Sequence, residues 1–111
     1  MKKVLLVNDD KDFQYLMRTY LTQKGFEAKT IDSTDDVIPL VKDFEPHVII
    51  IDMKAESDKR VCTEIREKQI QAKIVLLTDK SIRENTMHAC QPDIVIQKPF
   101  KPDELIEKIA T

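Results

Sequence analysis

Four short apolar runs in this chain each end in a residue suited to phosphoryl or cation chemistry. Val4-Leu5-Leu6-Val7 leads into Asn8-Asp9-Asp10, and Val48-Ile49-Ile50-Ile51 leads into Asp52. Ile74-Val75-Leu76-Leu77 ends at Thr78, and Ile94-Val95-Ile96-Gln97 ends at Lys98-Pro99-Phe100. Apolar runs of this length, separated by helical patterns, read as buried parallel strands. In open parallel sheets ligands collect outside the carboxyl ends of the strands. Carboxylates, a hydroxyl and an ammonium therefore meet in one crevice, a set able to hold a divalent cation and a phosphoryl group. Two carboxylates a few Å apart repel by roughly 3–4 kcal/mol at an effective dielectric of about 20, so a cation or Lys98 must offset them. Mg²⁺ takes one or two carboxylates and completes its shell with phosphate oxygens and water.

The elements that must position these residues follow from periodicity. Phe13, Leu16, Met17, Tyr20 and Leu21 form the apolar stripe of a first helix, with Asp10 at its N-cap and Asp12 in its first turn. Gly25, the only glycine, falls where a left-handed C-cap is needed. Residues Glu27 to Asp32 are the least apolar strand, which suits an edge. A second helix is expected over Asp35 to Phe44, with Val37, Leu40, Val41 and Phe44 inward, Pro39 near its first turn and Pro46 stopping it. A third is expected from about Ser57 to Lys68, with Val61 and Ile65 inward. A fourth, from about Ser81 to Cys90, is only weakly apolar, and a fifth starts near Asp103 with Leu105, Ile106 and Ile109. The order is (βα)₅. Right-handed crossovers make it a doubly wound α/β fold, a flavodoxin-like three-layer sandwich whose parallel sheet order 2-1-3-4-5 puts the polar second strand at an edge.

Size and composition fit one soluble domain over residues 1–111, either a whole protein or a part of a longer one: 41% of residues are hydrophobic and 34% charged. With 18 basic and 20 acidic residues the net charge is −2, and no basic stripe suggests direct nucleic-acid binding. The apolar runs are too short to span a bilayer. Lys2-Lys3 leads into a strand rather than a signal peptide. Cys62 and Cys90 lack CxxC or metal spacing and are expected as reduced thiols of a cytoplasmic protein. His47 and His88 are expected in surface or loop roles, and Tyr15 and Tyr20 in packing.

Over essentially its whole length the sequence resembles the receiver domain of two-component response regulators. The matching pieces are VNDD after the first strand, IIIDM at the third, VLLTD at the fourth and IQKPF at the fifth. The resemblance implies that Asp52 is the phosphoacceptor, taking its phosphoryl group from a sensor histidine kinase or phosphotransfer protein. It implies Mg²⁺ or Mn²⁺ held by Asp9, Asp52 and the backbone carbonyl of Lys54, with Asn8 a weak ligand or one acting through water. Thr78 and Lys98 would each engage a phosphoryl oxygen, and the Lys98-Pro99 bond is expected to be cis. Output would pass to an effector or output domain through the face made by the fourth helix, fifth strand and fifth helix, where a weak dimer can also form. Ile82, Met87, Val95 and Ile106 belong either to that face or to the core, with the core favoured. No substrate turnover beyond the domain's own phosphorylation and dephosphorylation is expected.

The chain departs from the family at several positions. Asn8 stands where an acid is usual, which keeps an oxygen but removes a charge. Met53-Lys54-Ala55-Glu56-Ser57 lacks the family's Met-Pro and the glycine beyond it. Asp79 replaces a small residue, and Val95 stands where the switch aromatic would be. These departures motivate an alternative: a pseudo-receiver that acts as a phosphorylation-independent interaction module. A flavin or nucleotide carrier is disfavoured, because there is no glycine-rich phosphate loop.

Overall fold

A computed structural model of the chain describes residues 2–32, 37–52, 56–78 and 91–110, the side chains of 56–59 excepted. Its elements are β1 (Lys3–Val7), α1 (Lys11–Gln23), β2 (Glu27–Ile31), α2 (Val37–Phe44), β3 (Val48–Asp52), α3 (Glu56–Glu67), β4 (Lys73–Thr78), β5 (Ile94–Gln97) and α4 (Pro102–Ala110). The helix expected near Ser81 to Cys90 lies outside the described residues, as do Lys54 and Asp79. The five strands are parallel in the order β2-β1-β3-β4-β5, as the sequence predicts.

Each central strand is buried on both faces, and its side chains alternate between two cores. Leu5, Val7, Ile49, Ile51, Ile74 and Leu76 face one side and pack with Val37, Val41 and Phe44 of α2 and Val61 and Ile65 of α3. Val4, Leu6, Val48, Ile50, Val75 and Leu77 face the other and pack with Met17 and Leu21 of α1 and Leu105 and Ile109 of α4. These are the three layers expected, with β2 at one edge.

The phase of α1 differs from its apolar stripe. Leu16 is 54% exposed and Tyr15 67% exposed, whereas Gln14 is buried with Met17 and Leu21. The inward face is thus turned toward Gln14, whose amide donates to the backbone carbonyl of Asn8. Gln14 sits on the buried face with its amide satisfied by the loop after β1, Leu16 is left exposed, and Tyr15 is not a packing residue. Asp10 caps α1 as expected, accepting from the backbone N–H groups of Asp12 (3.0 Å) and Phe13 (3.2 Å). Gly25 closes the helix at φ 92°, while the Phe26 N–H reaches back to the Leu21 carbonyl (3.0 Å). Without further glycines, the ends of α2 and α3 use Glu45 (φ 53°) and Gln69 (φ 57°), each at a cost of about 1–2 kcal/mol.

Cys62 is fully buried on α3. The chain's other cysteine, Cys90, lies outside the described residues.

At the amino ends of the strands, α3 is latched to the entry of β5. Arg66 donates to the Asp93 carboxylate (2.9 Å) and the Gln91 carbonyl (2.8 Å), and Asp93 also accepts from the Ile74 N–H (2.8 Å). Partial burial would raise the Asp93 pKa. The Ile74 N–H, the Arg66 hydrogen bond and the charges of Arg66 and Lys73 outweigh it and hold the carboxyl below its ordinary range.

Candidate functional site

Strand register assembles the predicted residues at the carboxyl end of the sheet. Val7 lies opposite Ile51, so the next residues, Asn8 and Asp52, are level. Asp52 lies opposite Leu77, one residue before Thr78, and Thr78 lies opposite Gln97, one residue before Lys98. The β4–β5 pairing is extended by the Lys98 N–H donating to the Thr78 carbonyl (2.7 Å). The following Lys98-Pro99 bond is cis, and Phe100 packs edge-on against Phe13 of α1 with ring centroids 6.3 Å apart. Tyr20 of α1 also donates to the carboxylate of Asp103. The lysine-bearing turn is therefore fixed both by a strand and by a helix.

Asp52 is 5% exposed, and a carboxylate buried to that degree must be paired or fully hydrogen-bonded. Both of its oxygens are held. The Lys98 ammonium lies 2.5 Å from Oδ1, and the Asn8 side-chain amide donates to Oδ2 at 2.6 Å. Thr78 is buried nearby in the strand order, and Asp9 is exposed on the loop after β1. Asp10 points back into its own helix as the cap. Beside the acceptor lies a hollow of about 380 Å³ whose wall combines Asp52, Lys98 and Asn8 with Phe13, Met17 and Phe100. A larger hollow, about 600 Å³, lies at the other end of the strands around His47, Arg66 and Lys73 and shares none of these residues.

The orientation of Asn8 is the feature least visible in its sequence. Its Oδ1 accepts from the Asp10 N–H at 2.6 Å, its backbone N–H donates to the Ile31 carbonyl at 3.0 Å, and Gln14 grips its carbonyl. With the oxygen committed, the NH₂ group is what faces Asp52. Among the described residues no group of three or more His, Cys, Asp and Glu side chains could hold a metal ion. The acids that could serve are Asp9 and Asp52, a donor set matching an ion that keeps most of its waters and takes the rest of its shell from phosphate. Of the residues singled out in the sequence, the structure brings Asn8 and Lys98 into contact with Asp52 and puts Thr78 next to them by strand register. Sequence reasoning missed Gln14, whose only signal is a polar residue three before Met17 and seven before Leu21, on the buried face of α1. Val95 is 38% exposed and Ile106 half-buried against the α1–α4 core; their companions Ile82 and Met87 lie outside the described residues.

Comparison with known proteins shows the family and the fold. The response regulator receiver domain family matches residues 4–110. The response regulator SaeR of Staphylococcus aureus (strain USA300) is 27% identical over 112 residues, covering 98% of this chain and 49% of that protein. The chain thus spans about half the length of the curated relatives it matches. Among solved structures, the response regulator protein TrrA of Thermotoga maritima, in complex with Mg²⁺-BeF, superposes with a TM-score of 0.85 at 30% identity, covering 99% of this chain and 97% of that one. The receiver domain of a Vibrio parahaemolyticus protein described as a putative Luxo repressor gives a TM-score of 0.86 at 22% identity, covering 98% and 87%. Among the described residues no helix is long and apolar enough to cross a membrane.

Proposed function

The chain belongs to the response regulator receiver domains, and on that premise we propose that it accepts a phosphoryl group on Asp52 and relays the event by a change of surface. The observation that carries this reading is the Asp52 carboxylate itself, buried at the end of the central strand with Lys98 on one oxygen and Asn8 on the other. Such a group is ordered for attack. Phosphoryl transfer depends on positioning and charge neutralisation more than on covalent help from the protein.

In the proposed reaction a carboxylate oxygen of Asp52 forms a bond to phosphorus as the bond from phosphorus to the donor breaks. With a phosphohistidine donor, the departing imidazole keeps the bonding electron pair and takes up a proton. The Lys98 ammonium and the Thr78 hydroxyl then stand to hold phosphoryl oxygens. Asp9, Asp52 and the Lys54 carbonyl would hold Mg²⁺ or Mn²⁺, which supplies charge neutralisation; the Mg²⁺-BeF complex of TrrA supports this assignment by kinship. The donor is a sensor histidine kinase or phosphotransfer protein in the cytoplasm. The recipient is an effector or output domain docking on the surface that includes Val95 and Ile106.

The test is intact mass after incubation with acetyl phosphate and Mg²⁺, with Asp52→Asn and chelator controls. A gain of one phosphoryl group that requires both Asp52 and the cation is expected. No gain, from this donor or from a cognate kinase, would favour the phosphorylation-independent interaction module.

A further inference from the structure

An asparagine beside a metal-binding acid reads first as a ligand that has lost its charge. The hydrogen bonds around Asn8 point to something more specific. A neutral amide can offer either oxygen or N–H to its neighbour, and here the choice is fixed from behind. Oδ1 accepts from the Asp10 N–H (2.6 Å), and Asp10 is itself held in place because its carboxylate caps α1. The backbone of Asn8 is tied on both sides, through its N–H to Ile31 of the neighbouring strand and through its carbonyl to the buried amide of Gln14. The NH₂ group is therefore aimed at Oδ2 of Asp52 at 2.6 Å, while Lys98 occupies Oδ1. An acid at this position would keep the bond from Asp10 but would set a second carboxylate against the first, a repulsion that only a cation could offset.

We propose that Asn8 is a positioning residue that holds Asp52 in the cation-free protein, occupying with an N–H donor the side of the carboxylate that a bound cation would take. The acceptor is then fully hydrogen-bonded before any metal arrives, and metal binding must compete with the Asn8 amide for the same oxygen. The domain gains order without a cation and gives up cation affinity in return. The reading of the site as a cation-assisted acceptor supplies the setting, but the contact itself stands or falls by stability measurements that involve no phosphorylation.

The experiment compares thermal unfolding of the wild type, Asn8→Asp, Asp52→Asn and the double variant Asn8→Asp/Asp52→Asn, each in chelator and in Mg²⁺. In chelator, Asn8→Asp is expected to lower Tm by roughly 5–10 °C for a domain of this size. The double variant restores a donor and an acceptor with their roles exchanged, because an aspartate at position 8 still accepts from Asp10 while an asparagine at position 52 donates to it. It is expected to recover most of the loss. In the Asn8→Asp single variant, Mg²⁺ should raise Tm more than in the wild type, and Mg²⁺ titration followed by backbone amide NMR shifts should show about tenfold tighter binding. A loss that persists undiminished in the double variant would show that Asn8 acts through something other than Asp52 and overturn the proposal. An unchanged Tm for Asn8→Asp in chelator would overturn it equally. Failure of the wild type to take a phosphoryl group would bear on the proposed function and leave these outcomes readable.

Discussion

Replacing Lys98 by methionine removes the ammonium while keeping most of the stem. The carboxylate it leaves behind has a side chain only 3% exposed, and Lys98 itself is 33% exposed. Removing one partner of a buried ion pair costs about 3–5 kcal/mol, most of it the penalty of an uncompensated charge. Two features reduce that figure here. Asn8 still holds the other carboxylate oxygen, and the space vacated by a partly exposed ammonium can admit water to Oδ1. The expected loss is therefore about 2–3 kcal/mol, equivalent to a fall in Tm of roughly 10–20 °C for a domain near this length. Urea unfolding in chelator, followed by far-UV circular dichroism, measures it as a lower midpoint at unchanged slope. The same substitution in an Asp52→Asn background should cost less than about 1 kcal/mol, because no buried charge is then stranded. Equal losses in the two backgrounds, or a loss below about 0.5 kcal/mol in the native one, would refute the assignment of Lys98 as the counter-ion of Asp52.

Two further outcomes follow from features away from the site. The Asp93 carboxyl is held below its ordinary range in the folded state, so its latch contributes stability above the unfolded-state value of 3.8 and loses it as pH falls through the lower folded value. Acid titration of stability should show Asp93→Asn flattening the dependence below about pH 4, by no more than about 0.5–1 kcal/mol because the pair is partly open to solvent screening; an unchanged acid limb would contradict the shift. Gly25→Ala should cost about 1–2 kcal/mol by denaturant unfolding, since φ is 92° and a Cβ there would meet nothing within 4 Å, leaving backbone conformation as the whole cost. A neutral result would mean that the turn relaxes.

Much of this was legible in residue order. Continuous apolar runs, each followed by a polar residue and separated by helical patterns, placed Asp52, Thr78 and Lys98 at one end of the sheet, because parallel strands joined by helical crossovers all end on the same side. The N-cap at Asp10 and the stop at Gly25 were equally local. What escaped was decided by contacts between distant segments. Leu16 belongs to the apolar stripe of α1 yet is exposed, while Gln14 is turned inward and its amide meets a carbonyl six residues upstream, a contact that no hydrophobic pattern records. Asn8 could be recognised as the loss of a charge, but which end of its amide faces Asp52 depends on the Asp10 N–H.

The two partners of Asp52 also differ in when they become available. Asn8 lies 44 residues before it and Lys98 lies 46 residues after it. During synthesis β1 and β3 leave the ribosome well before β5, and a parallel sheet must close long loops before its non-local contacts form. In that interval the amide is the only one of the two side chains that exists to meet the carboxylate. A nascent β1–β3 pair thus carries its own neutral companion for the acid at its tip, and the charged companion arrives with the last strand, making completion of the sheet and neutralisation of Asp52 a single late event.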